Sequence, residues 1–193
     1  ISGFQSNVFT GKGFILANAG KETVKGIEFE GTVRPAKGWL FSAAFTYLDA
    51  KYDSFVLSAV GDLSGTLPAA IPSLSTTLGA QYDWAMANGD HLILRGDYHY
   101  ESPTQIVEGV PGFLEMGIAA AVDAARPYRR EVNEVNASIT WAMASGLEIT
   151  AWGRNITNDR YLLNVFDSPA QPQSITGYTN QPRTYGGTVR YRF

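Results

Sequence analysis

Alternation with a period of two runs through almost the whole chain, from its sharpest case, LILRGDYHYE (92–101), to its last ten residues, TYGGTVRYRF. In steps of two, Phe193, Tyr191, Val189, Gly187 and Tyr185 form one register, and Arg192, Arg190, Thr188, Gly186 and Thr184 the other. Successive side chains of a β-strand leave on opposite faces, so this segment has one apolar, aromatic face and one polar or small face. The same period organises KGIEFEGTVR (25–34), WLFSAAFTY (39–47), LSTTLGAQYDW (74–84), LILRGDYHYE (92–101) and EVNASITWAM (134–143). LEITAWGRN (147–155) breaks it once, because Trp152 falls among Glu148, Thr150 and Arg154 on the polar side. With ISGFQSNVF at the start, the pattern predicts about eight antiparallel strands in an all-β, up-and-down meander.

The connections alternate in length. RPAKG (34–38), MANGD (86–90) and MASG (143–146) are short and glycine-bearing, as hairpin turns are, whereas 50–72, 102–130 and 163–183 are long and rich in Gly, Pro and Asp. Short turns at one end and long loops at the other are how outer-membrane barrels are built. Within one long loop, EMGIAAAVDAAR (115–126) favours a turn or two of helix.

Alternation alone does not say which face is wet, since a soluble ligand-binding barrel carries its apolar residues inside. Three features favour lipid outside. Aromatic residues end the apolar faces (Trp39 and Tyr47, Tyr82 and Trp84, Tyr98 and Tyr100), as at two membrane interfaces. The polar face mixes hydroxyls and small residues with charges of both signs. The strands, at about 9–11 residues, match a tilted membrane crossing.

Composition removes several functions. A net charge of −3 without a Lys/Arg-rich run offers nothing to nucleic acid. Cysteine is absent and there are two histidines, so neither a disulfide framework nor a zinc site is expected, and no other metal or cofactor is. No nucleophile elbow or phosphate loop occurs, so no enzyme is expected. His99 with Asp97 and Glu101 is the one candidate catalytic group, and steps of two place them about 7 Å apart on one strand face. They read better as a lumen charge ladder paired with Arg95. Asp49, Asp53 and Asp62 are too irregularly spaced for a Ca²⁺ loop. The sequons at Asn136 and Asn155 lie in strand context, and the Asn/Asp group 155–159 is expected to end its strand through side-chain bonds to backbone.

Several stretches resemble one family. NAGKETVKGIEFEG (18–31), with an Asn-x-Gly turn leading to Gly26-Ile27-Glu28, is similar to the barrel of TonB-dependent outer-membrane receptors. So are TYLDAKYDSF (46–55), LPAAIPSLSTTLGAQYDW (67–84), WGRNITNDRYLL (152–163) and NQPRTYGGTVRYRF (180–193). Asn155, Ile156, Thr157, Asn158, Asp159 and Tyr161 fill one family motif, and Pro182, Arg183 and Phe193 another. Gln181 before Pro-Arg, and Ser73-Leu74 after Pro72, depart from the family pattern.

The resemblance implies that residues 1–193 are the C-terminal part of a 22-stranded barrel. The plug domain, the box that contacts TonB and the earlier strands would lie outside them. The opening on ISGFQSNVF, without a start Met or signal peptide, fits such a fragment. The resemblance also implies contact with outer-membrane lipid, coupling to TonB through the plug, and a ferric siderophore or similar ligand. Tyr185, Val189, Tyr191 and the terminal Phe193 resemble the signal read by the barrel-assembly machinery. Ligand contact is expected from the long loops and upper lumen, where Arg126, Tyr128, Arg129 and Arg130 form the densest cationic-aromatic group. Arg95 and His99 join them on the lumen side. A lipopolysaccharide-facing or solvated rim is the alternative for this group. For the whole chain it is a complete eight-stranded barrel with a structural or adhesive role, in which Phe4–Phe9 would pair with Thr184–Phe193.

Overall fold

The computed structural model describes residues 2–9, 14–56, 58–168, 171 and 173–193, with side chains from Gly20 onward. Eight strands form one antiparallel sheet: β1 (Ser2–Phe9), β2 (Phe14–Val33), β3 (Trp39–Ser54), β4 (Leu74–Ala85), β5 (His91–Gln105), β6 (Arg129–Ala142), β7 (Leu147–Arg154) and β10 (Thr184–Tyr191). Each pairs with its neighbour in sequence, except that β7 pairs with β10. The two strands passed over, β8 (Leu162–Asp167) and β9 (Ile175–Thr179), form a hairpin of their own inside the segment expected to be a loop. The sheet is open: among the described residues β1 pairs only with β2, and β10 only with β7.

Register makes the period of two a property of the whole sheet. Phe41, Ala80, Gly96, Ala137, Gly153 and Tyr185 are successive partners across six strands, and the next outward row runs Trp39, Tyr82, Leu94, Ile139, Ala151 and Gly187. Ile27, Phe29, Phe45, Leu78, Trp84, Trp141, Val189 and Tyr191 are all exposed on this face. So many exposed large apolar groups on a regular strand face need an apolar solvent. Trp39 stacks on Phe41 (centroids 5.3 Å apart) and leans on Tyr82 (4.7 Å), building an aromatic edge at the short-turn end.

Two expectations are corrected and one holds. The strands exceed a bare membrane crossing, with β2 at 20 residues, β3 at 16 and β5 at 15. Pairing continues above the apolar band, where polar groups satisfy one another: Thr23 donates to Asp53 at 2.6 Å and Lys21 lies 3.6 Å from the same carboxylate. Asn18–Gly20 is not a turn but part of β2. Gly20, at φ 154°, passes so close to β3 that a Cβ there would meet the Ser54 carbonyl oxygen at 1.7 Å, and the β2–β3 register shifts beside it. Trp152 does lie on the wet face. Gly186 leaves room for its ring, which a Cβ would meet at 2.2 Å, and the Arg154 guanidinium sits 5.2 Å from the ring centroid.

A sheet with lipid on one face and a polar lumen on the other has no apolar core of its own. The core lies above it, at the long-loop end. Tyr52, Phe55, Val60, Leu63 and Ala121 are buried together, with Phe113, Leu114 and Val122 against them. They join loop 55–73 to loop 106–128, which holds a 3₁₀ turn (Pro111–Met116) and the helix α1 (Ile118–Ala125), where helix was expected.

Candidate functional site

The wet face of β4, β5 and β6 carries the polar register toward the long loops. Thr77 Oγ1 lies 3.0 Å from His99 Nδ1, and His99 Nε2 lies 3.4 Å from Glu101 Oε1. The other Glu101 oxygen is 2.8 Å from Arg130. The expected ladder is therefore present, but its cation is Arg130 rather than Arg95, which makes no ion pair among the described residues. A bulge brings Arg130 to Glu101. Glu101 faces Val132 while Thr104 faces Arg130, so β5 holds one extra residue and Glu101 comes within reach of the next inward residue of β6. Asp97 accepts from Asn136 at 2.7 Å.

Beside this ladder the Asn/Asp motif closes the strand as expected. Asn155 and Asn158 take left-handed backbone (φ 47° and 57°), which asparagine tolerates. Asn155 Nδ2 donates to the carbonyls of Asp159 and Gln181 (2.9 and 3.0 Å), while its Oδ1 accepts from Asp159 N–H (2.8 Å). Asp159 accepts from Asn133 N–H at 2.7 Å, and Ile156 N–H donates to the Val135 carbonyl. The chain leaving β7 thus occupies the edge of β6 that β7 vacates.

Tyr161 and Asn180 aim inward from this clasp at one carboxylate oxygen of Glu134 (2.8 and 3.3 Å). Burial, reinforced by that bond, pushes the Tyr161 phenol up to about 12, so it stays a donor at neutral pH. A cavity of about 460 Å³ opens here, lined by Asp97, Glu134, Asn136, Arg154, Tyr161 and Asn180 among others.

The cationic-aromatic group is divided. Arg130 points inward, with little of its side chain exposed, while Arg129, one residue earlier, points outward and donates to the Pro103 carbonyl (3.4 Å). Arg126 pairs with Asp123 on the exposed side of α1 (3.1 Å). Tyr128 is half-buried under the loops, its carbonyl accepting from Ile106 N–H and Gln105 Nε2. Sequence reasoning missed Glu134, Asn180 and Glu108 as organisers. Glu108 accepts from Tyr52 (3.0 Å) and Ala69 N–H (3.1 Å), tying the two packed loops together. Among the described residues the third loop joins them through the bond from Gly112 N–H to Asp167 (2.7 Å). An acceptor in a loop carries no periodic signal; Glu134 did lie on the polar register.

No curated relative matches the sequence. By structure the chain is similar to the ferric yersiniabactin uptake receptor FyuA of Yersinia pestis, with a TM-score of 0.70 at 18% identity over 93% of this chain and 25% of that one. It is also similar to BauA, the ferric preacinetobactin receptor of Acinetobacter baumannii, with a TM-score of 0.59 at 21% identity over 97% of this chain and 25% of that one. The chain therefore spans about a quarter of the length of these receptors. Residues 1–156 match the family described as TonB dependent receptor-like, beta-barrel. An open antiparallel meander, apolar outside, polar inside and roofed by long packed loops, belongs to the TonB-dependent receptor β-barrel family.

Proposed function

We propose that this chain is the C-terminal part of the wall of an outer-membrane receptor that imports a ferric siderophore. Import would be energised by TonB through a plug domain encoded outside residues 1–193. The observation that carries this reading is the polar cavity beneath the long loops. It opens on the wet face, holds the carboxylates of Asp97 and Glu134 and the guanidinium of Arg154, and lies close to the Glu101–Arg130 pair. The names of FyuA and BauA supply the ligand class, each being a ferric siderophore receptor. Arg126, Tyr128, Arg130, Arg95 and His99 remain the proposed ligand contacts, while Arg129, which points outward, leaves that set. Arg95, without an ion pair among the described residues, is the lumen-side cation proposed to meet an anionic chelate. Tyr185, Val189, Tyr191 and Phe193, all exposed on the outer face, suit a terminal signal for the barrel-assembly machinery.

The test is uptake of radiolabelled iron, offered as a panel of ferric chelates, by cells expressing the receptor that contains this chain. Arg95→Gln should raise the half-saturating concentration of an anionic chelate about tenfold, as expected for one lost charge-assisted contact, with surface level unchanged. Uptake of no ferric chelate, or an Arg95→Gln variant with unaltered uptake of all of them, overturns the reading. The alternative, a complete eight-stranded barrel, needs β1 to pair with β10, and neither does so among the described residues.

A further inference from the structure

The division of Arg129 from Arg130 leaves one guanidinium on the outer surface, and that surface has a shape there. A cleft of about 420 Å³ is lined by Arg129, Glu131 and Asn133 from β6 and by Asp159, Arg160 and Leu162 from the following segment, with Tyr161 and Thr179 completing it. Among the described residues neither Arg129 nor Arg160 has a carboxylate partner, and Asp159 is already engaged by Asn133 N–H. One strand step below Asn133 on the same face, Val135 begins a second hollow. This is an apolar trough of about 670 Å³ that crosses the sheet over Gly96, Ala80 and Ala43 between the rings of Tyr98, Phe41 and Phe29. It lies on the lipid side, away from the polar site.

Height agrees with this arrangement. Trp141 marks the short-turn interface on β6, and Arg129 stands twelve residues further along the same outward register. At about 3.3 Å per residue and a tilt of roughly 40°, that is on the order of 30 Å of height, just above an apolar band of about 25 Å. Arg129 and Arg160 thus stand at headgroup level, with the trough opening beneath them into the acyl region.

We propose that this cleft and trough together hold one membrane lipid with a phosphate-bearing head. The two guanidinia grip the phosphate, for which their fork geometry is suited. Glu131 faces the remainder of the head, where an amine or a bridging cation would be favoured. An acyl chain lies in the trough, where the small residues of β3, β4 and β5 leave room that a flat lipid face would not. The proposal rests on the outer-membrane orientation of the sheet, not on the imported ligand.

The experiment is native mass spectrometry of the receptor extracted from its own membrane in mild detergent. The wild type should retain one phosphate-bearing lipid at collision energies that strip all others. Arg129→Gln with Arg160→Gln should lower its occupancy at least about tenfold, two charge-assisted contacts being lost. Val135→Trp, which fills the trough and leaves the cleft intact, should lower it too. Lys37→Gln, at the short-turn rim, should not. Sheet content and heat-modifiable gel mobility confirm that each variant is folded. Equal retention by the wild type and the double variant, or equal loss from Lys37→Gln, overturns the proposal. Full displacement of the lipid by millimolar inorganic phosphate also overturns it, since the acyl chain would then contribute nothing.

Discussion

Phe45 and Thr46 are neighbours in the chain and face opposite solvents. Phe45 faces Phe29 and Thr76 across the outward row, and Thr46 faces Glu28 and Ser75 on the wet one. Phe45→Arg should cost about 2–4 kcal/mol, the range for arginine near the midplane of a lipid face, while Thr46→Arg should be tolerated. Urea unfolding in lipid vesicles measures both, and equal costs or the reverse order would remove the membrane assignment. Trp152 shows the converse case, a large ring on the wet face. It is held by a glycine on β10 and a guanidinium on β7, so its packing replaces the lipid contact that its outward neighbours have.

At the scale of elements, the short turns are clasped together. Asp90, buried in turn 86–90, accepts from Ala144 N–H (2.9 Å) in turn 143–146, from Trp141 Nε1 (3.0 Å) and from Asn88 (3.0 Å). These donors, the Ala144 N–H first and the Trp141 indole next, hold its carboxyl below the usual carboxylate range. A depressed folded-state pKa contributes stability that is complete above the unfolded value, about 4, and is lost as pH falls through the lower folded one. Asp90→Asn should therefore lower the thermal midpoint at pH 7, and the gap to wild type should narrow as pH drops below about 4. Heat-modifiability measured across pH reads this directly, and a gap that stays constant down to pH 2 would refute the clasp. At the other end, two loops share a core and a half-buried Glu108, whereas the β8–β9 hairpin is held through the Asn155 clasp and, among the described residues, the Gly112–Asp167 bond.

For the whole molecule the decisive feature is the open sheet. The outer edges of β1 and β10 are unpaired among the described residues, and unpaired backbone groups are costly in hydrocarbon. Residues 1–193 refolded alone into detergent should therefore form sheet but self-associate, and should transport nothing. A monodisperse, heat-resistant monomer would favour the small complete barrel, and light scattering with circular dichroism separates the outcomes. The same reasoning predicts that the strands beside β1 and β10 in the assembled receptor come from elsewhere in its barrel.

Strand identity, facing and the positions of the short turns were legible in the residues, because each depends on neighbours within two or three positions of the same strand. WLFSAAFTY and LILRGDYHYE need no partner to show an apolar face, and MANGD needs none to show a turn. The candidate site was legible only as a set of residue types on the wet register. That Arg130 comes within reach of Glu101 depends on one extra residue in β5, and a bulge exists only between two strands. The same cross-strand geometry decided that Arg129 and Arg130 part to opposite faces, that β10 rather than β8 pairs with β7, and that Asn18–Gly20 continues a strand instead of turning. Period is written along the chain, whereas register is set across it by packing and hydrogen bonds between residues distant in sequence. That is why the sequence determined which faces meet lipid and water, and only the tertiary structure decided which charges meet each other.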